Sequence, residues 1–145
     1  MFYLWHARDL GATADGRRAG EPFGTNFSPS LFAQIPGPLT DIESFTANDL
    51  TGTMNGGPLT LEFAAGIFAQ PESIQKVAKL IRYFVERGGH QLQLNAVDPE
   101  TMRRAQENPD AYRQLVVRIW GWSAYFVELD REYQEHVLAR QEYSV

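Results

Sequence analysis

Between residues 71 and 87 apolar side chains recur every three or four positions: Ile74, Val77, Ala78, Ile81, Phe84 and Val85. That period puts them on one face of a helix and predicts that the face packs against a core, with Pro71 in the first turn and Gly88 as the stop. On both sides of this helix the pattern switches to period two. Leu59, Leu61 and Phe63 alternate with Thr60 and Glu62, and Leu92 and Leu94 alternate with Gln91, Gln93 and Asn95. Each stretch reads as a strand, over residues 59–63 and 91–97. Asp98-Pro99-Glu100 caps a short helix to about residue 107, which Asn108-Pro109-Asp110 breaks. Residues 115–120 form a further strand, Gly121 interrupts it, 123–129 are extended again, and 130–141 read as a closing helix. Upstream, residues 40–50 suggest a short helix with Thr40 or Asp41 as N-cap, followed by turns over 51–58. Residues 11–38 are rich in Gly, Pro, Ser, Asn and Thr. So long a loop is unusual inside a compact domain and predicts a segment that wraps or docks against something else.

The resulting order of loop, strand, helix, strand, helix, strand and helix is an α/β architecture. Three or four strands in 145 residues make a thin sheet, so the core is expected to be incomplete without a partner. Hydrophobic content of 43% with 12% aromatics belongs to a folded chain. A net charge of −5 with dispersed Lys and Arg argues against nucleic acid as partner. No apolar run approaches the ~18 residues of a membrane helix, and the start Met1-Phe2-Tyr3-Leu4-Trp5-His6 lacks the basic, apolar plan of a signal peptide. A soluble protein of the cytoplasm is the expectation.

Conventional chemistry finds little footing. With zero cysteines there is no disulfide, thiolate metal site or cysteine nucleophile within the chain. His6, His90 and His136 lack the spacing of metal ligands and read as ordinary polar or capping residues; no metal site is expected. The glycines of 11–20 and 52–57 match no phosphate-loop pattern and read as turns. Glu62 or Asp15 as an acid or base has no second carboxylate at a useful spacing, so a solvated surface or a turn cap is the better reading. Arg17-Arg18 suits an anion and a structural ion pair equally well.

One residue stands out. In Val116-Val117-Arg118-Ile119-Trp120-Gly121-Trp122-Ser123-Ala124-Tyr125-Phe126, a glycine sits between two tryptophans in an otherwise β-rich run. A bulge or tight bend with positive φ explains a lone glycine. A second explanation uses its Cα–H bond. A radical at a glycine α-carbon is delocalised over the flanking amide and carbonyl, which requires a planar carbon that a Cβ would obstruct. Trp120, Trp122, Tyr125 and Phe126 would help to bury such a centre from oxygen.

Arg118-Ile119-Trp120-Gly121-Trp122-Ser123-Ala124 resembles the R-V-x-G-Y/F-x-A/G signature of the glycyl radical enzymes, the pyruvate formate-lyase-like family. Gly88-Gly89-His90-Gln91-Leu92-Gln93-Leu94-Asn95 resembles the family's G-G-x-x-x-x-x-N strand, and Asn108-Pro109-Asp110-Ala111-Tyr112 its N-P-E-x-Y segment. Asp15-Gly16-Arg17-Arg18-Ala19-Gly20-Glu21-Pro22 resembles its D-G-R-x-A-G-x-P turn. Trp120 and Trp122 are bulkier than the family's usual residues at those places.

The resemblance implies the C-terminal part of a glycyl-radical-enzyme barrel, with a loop-rich docking segment over 1–58 and the radical domain over 59–145. It implies a radical stored on Gly121, supported by Arg118, Trp120, Trp122 and Ser123, with no bound cofactor. The radical would be installed by a radical SAM activating enzyme and passed to a cysteine on a separate barrel subunit of an oxygen-sensitive lyase or acyltransferase. Such a chain is enzymatic only as part of that assembly. The alternatives are a spare part for a damaged enzyme, a piece of a longer enzyme (Met1 is compatible with a true start), or an interaction subunit that has lost the radical.

Overall fold

The computed structural model describes residues 2–119, 121–140 and 142–143, without the side chains of Phe2 and Val97. Two short sheets organise it. Strand β1 (Pro58–Ala64) lies between β2 (Gln91–Val97), parallel to it over seven residue pairs, and β5 (Glu142–Tyr143), also parallel. Strands β3 (Val116–Arg118) and β4 (Ser123–Tyr125) form a separate antiparallel hairpin. Helices α1 (Phe2–Trp5), α2 (Pro38–Thr46), α3 (Pro71–Glu86), α4 (Pro99–Glu107) and α5 (Arg131–Leu138) complete the order. Neither sheet closes, so the α/β architecture is that of an open fragment, as its strand count predicts.

The β1–α3–β2 unit follows from its sequence. Leu59, Leu61 and Phe63 are fully buried on β1, and α3 packs over them through Val77 and Phe84. The helix ends where Gly88 takes φ +78. The Gly88 amide donates to the Val85 carbonyl at 3.0 Å and the Gly89 amide to Phe84 at 2.9 Å. Those two bonds are the crossed pair that closes a helix on a left-handed residue. A Cβ on Gly89 would run into the Phe84 ring, so Gly88 is there for its backbone conformation and Gly89 for packing. Asp98 caps α4 by accepting from the Glu100 amide at 3.1 Å, and Asp130 caps α5 by accepting from Tyr133 at 3.0 Å.

Several expectations need correction. Helix α2 begins at Pro38, so Thr40 and Asp41 lie inside its first turn and cap nothing. Proline at the first position, with no amide to satisfy, starts the helix earlier than a hydroxyl or carboxylate cap would. On α3, Ile74, Ile81 and Val85 face outward although they share the apolar stripe with Val77 and Phe84. The thin sheet covers only part of that stripe. The strand expected over 115–120 shortens to three residues before the turn, and 123–129 is strand only to Tyr125, then a 3-10 turn over Phe126–Glu128. The closing helix stops at Leu138, and the chain then adds β5 to the sheet, an element too short for any period to announce.

Two cores result. One holds Ile42, Phe45, Leu59, Leu61, Phe63, Val77 and Phe84 between the three-stranded sheet, α2 and α3. The other holds Met102, Ala105, Val117, Ile119, Phe126 and Val137 between the hairpin, α4 and α5.

Candidate functional site

The hairpin presents Gly121. Val116, Val117 and Arg118 pair with Tyr125, Ala124 and Ser123, and the Ile119 amide donates to the Trp122 carbonyl at 3.0 Å, which closes the turn. Gly121 therefore occupies the tip, with φ +74, a left-handed conformation that favours glycine. Among the described residues, no heavy atom beyond its chain neighbours lies within 4 Å of where a Cβ would stand, so none of them leaves it glycine for want of room. Arg118 Nη1 donates to Ser123 Oγ at 3.1 Å and braces the two strands from the outside. Arg118, Ser123 and Trp122 are thus brought together around the turn, whereas Trp120 lies outside the described residues.

Among the described residues the aromatic shield is not formed. Phe126 is fully buried, but in the core beneath the hairpin, while Trp122 is 43% exposed, Tyr125 46%, and Gly121 itself is exposed. A two-stranded turn projecting past its own core leaves the Trp122 and Tyr125 rings without a second wall among the described residues.

Behind the turn lies a contact that no motif predicts. Glu62, on β1, is buried, contrary to the solvated surface or turn cap expected of it. Its Oε1 accepts from Arg140 Nη1 at 2.8 Å and from Asn95 Nδ2 at 2.9 Å. Arg140 Nη1 also donates to the Arg118 carbonyl at 3.1 Å, and Nη2 to the Ile119 carbonyl at 2.8 Å. Only an inward carboxylate at a position of even polar alternation could have signalled it, and period-two patterning assigns that position to solvent.

Titratable groups line the same region. Tyr143, on β5, donates its hydroxyl to Asp41 Oδ2 at 3.2 Å. Burial pushes the Asp41 carboxyl up to about 6, and the tyrosine's hydrogen bond offsets this only in part. Burial, followed by the carboxylate, raises Tyr143 as well. His136, on α5, is buried against Tyr3 with ring centroids 4.8 Å apart. Burial, then the charges of Arg140 and the N-terminus, bring it down to about 4. Its role is that of a neutral packed ring.

Arg17 is buried and structural, without an ion pair among the described residues. It donates to the carbonyls of Arg18 at 3.2 Å, Glu21 at 2.8 Å and Gly11, and lies 4.7 Å over the Phe23 ring. Asp15 stays in its turn, its carboxyl held low by the Thr13 hydroxyl. No group of three His, Cys, Asp or Glu residues able to hold a metal occurs among the described residues. Nor is any described helix long and apolar enough to cross a membrane.

The profile of the glycine radical family matches residues 23–127, a span that includes the hairpin. The chain belongs to the glycyl radical family. It is 37% identical to the indoleacetate decarboxylase of Tractidigestivibacter scatoligenes over 139 residues, 95% of this chain and 16% of that protein. It is 36% identical to the 4-hydroxyphenylacetate decarboxylase glycyl radical subunit of Clostridioides difficile over 91% of this chain and 15% of that subunit. The glycerol-bound B12-independent glycerol dehydratase from Clostridium butyricum superposes with a TM-score of 0.93 at 30% identity, covering 99% of this chain and 18% of that one. This glycyl radical chain therefore spans about one sixth of the length of the relatives it matches.

Proposed function

We propose that the chain is the radical-storing portion of a glycyl radical lyase, with Gly121 as the storage site. The observation that carries this reading is the placement of Gly121 at the exposed tip of a hairpin, with no heavy atom of the described residues beyond its chain neighbours within 4 Å of where a Cβ would stand. A 5′-deoxyadenosyl radical, generated by a radical SAM activating enzyme, takes the Cα hydrogen and leaves as 5′-deoxyadenosine. The unpaired electron stays on the α-carbon. A cysteine on the barrel of the enzyme then returns a hydrogen from its S–H to Gly121 and becomes the thiyl radical that attacks substrate. The absence of cysteine from this sequence fits a division of labour in which the thiol lies on a separate barrel subunit or a further stretch of polypeptide.

Residues 1–58 serve as the docking segment and 59–145 as the radical domain, with Arg118 and Ser123 bracing the turn and Trp120 and Trp122 flanking it. The barrel supplies the wall against oxygen that the exposed Trp122 and Tyr125 rings lack here. The outward Ile74, Ile81 and Val85 on α3 support a docked state for the same reason. The assembly works anaerobically, in the cytoplasm.

The test is electron paramagnetic resonance after anaerobic priming with a matching activating enzyme and reductant. A doublet that collapses on α-deuteration of glycine is expected, and air should then cut the chain at Gly121. A protein that stays diamagnetic and uncut with a competent activating enzyme refutes storage and leaves an interaction subunit.

A further inference from the structure

We infer that Arg140 is a positioning residue for Gly121, clamping the radical hairpin onto the parallel sheet through the carbonyls of Arg118 and Ile119. This rests on the storage reading for its purpose, though not for its geometry.

The two larger cores of the fold meet poorly at this point. A cavity of about 380 Å³, bordered by Leu94, Met102, Val117 and Val137, lies between sheet and hairpin. Another of about 270 Å³, bordered by Thr60, Ile119 and Tyr143, lies on a neighbouring side. Glu62 and Arg140 line both. Among the described residues, the space where apolar side chains would normally weld the two units is open, and a polar link crosses it.

The link is built as only arginine can build it. One planar guanidinium serves three acceptors: Glu62 Oε1, the Arg118 carbonyl and the Ile119 carbonyl. The Ile119 amide closes the turn onto Trp122, so both backbone groups of Ile119 are engaged, one within the hairpin and one to the sheet. Glu62 supplies the counter-charge that lets a cation stand with 11% of its side chain exposed, and Asn95 on β2 donates to the same carboxylate oxygen, Oε1. The last fixed atom of this chain of contacts is two residues from Gly121. Hydrogen-atom transfer demands close placement of the donor carbon, and an error near 1 Å costs on the order of a hundredfold in rate. A clamp at Ile119 meets that demand without covering the glycine.

The experiment compares the 145-residue chain with its Arg140→Gln, Arg140→Lys and Glu62→Gln variants by amide hydrogen exchange and by the rate of radical installation. In Arg140→Gln the amides of residues 116–125 should exchange roughly ten- to hundredfold faster, while those of β1 and β2 keep their protection. Priming of that variant should be at least about tenfold slower, with a doublet of ordinary shape once formed. Arg140→Lys keeps the ion pair yet cannot fork onto both carbonyls, so its hairpin exchange should fall between the two. Glu62→Gln retains an acceptor and should loosen the hairpin less than Arg140→Gln does.

Unchanged hairpin exchange in Arg140→Gln overturns the clamp, as does protection lost equally from β1 and β2. If Arg140→Gln fails to fold, Arg140→Lys decides on the same two readouts. A wild-type chain that stays diamagnetic refutes storage alone, since the exchange data still judge the clamp.

Discussion

Asp41 and His136 make opposite demands on acid stability, and their near-cancellation can be broken by one substitution. The Asp41 carboxyl stands at about 6 in the folded chain against an ordinary 3.8, because burial disfavours its charge. The unfolded chain ionises that carboxyl first, so from pH 3.8 to 6 the folded state holds the extra proton and stability falls as pH rises. His136 stands at about 4 against an ordinary 6.5, again through burial. Here the unfolded chain takes the proton first, so stability is complete above 6.5 and is lost as pH falls toward 4. Each group changes stability by about 1 kcal/mol per pH unit near pH 5, with opposite sign, and by up to about 3 kcal/mol across its window. Asp41→Asn keeps an acceptor for the Tyr143 hydroxyl and removes only the titration. Urea unfolding of wild type and Asp41→Asn between pH 4 and 6.5 should give a difference in unfolding free energy that grows with pH, in favour of the variant, by up to about 3 kcal/mol. The difference isolates Asp41 from the other carboxylates. Parallel curves, or a difference of the opposite slope, would refute the assignment of a buried, reluctantly ionised Asp41.

Two further substitutions test packing and docking. Gly89→Ala drives a methyl into the Phe84 ring, so it should cost about 1 to 3 kcal/mol in chemical denaturation, and a Phe84→Leu background should recover part of the loss. Ile81→Glu with Val85→Glu changes outward-facing positions, so unfolding should shift by no more than about 0.5 kcal/mol per site. The same pair should abolish binding to a cysteine-bearing glycyl radical barrel supplied in trans, read by analytical ultracentrifugation, and retained binding would place the docking face elsewhere.

What the sequence made legible was local. The β1–α3–β2 unit carries its own punctuation, because Pro71, the Gly88-Gly89 pair and Asp98 each fix a terminus by a backbone requirement that needs no distant partner. Gly121 was legible from its motif, and its turn from the break in β pattern. The clamp was not. Arg140 lies 78 positions from Glu62, and a residue whose meaning is a contact across that separation leaves no period or spacing behind. Hydrophobic periodicity misled on α3 for a related reason: it reports which face is apolar, not whether this chain or another surface covers it. Periodicity assigns Ile74, Ile81 and Val85 to the core, and the thin sheet leaves them outside.

The conformation of Gly121 alone does not demand glycine, and this allows structure and chemistry to be separated. Its φ of +74 strains an alanine, by about 1 to 2 kcal/mol, so a dead Gly121→Ala variant would not distinguish a lost radical from a distorted turn. Asparagine is different. Asn26 already adopts φ 57 in this same chain, and no heavy atom of the described residues beyond the chain neighbours stands within 4 Å of a Cβ at position 121, which leaves a larger side chain room. Gly121→Asn should therefore fold with the hairpin intact, losing less stability than Gly121→Ala and keeping the exchange protection of residues 116–125. It should nonetheless show no doublet and no cleavage in air, because its Cβ opposes the planar α-carbon. If Gly121→Asn yields a radical on the same carbon, or if it supports turnover when joined with a barrel, the glycine is there for the bend alone.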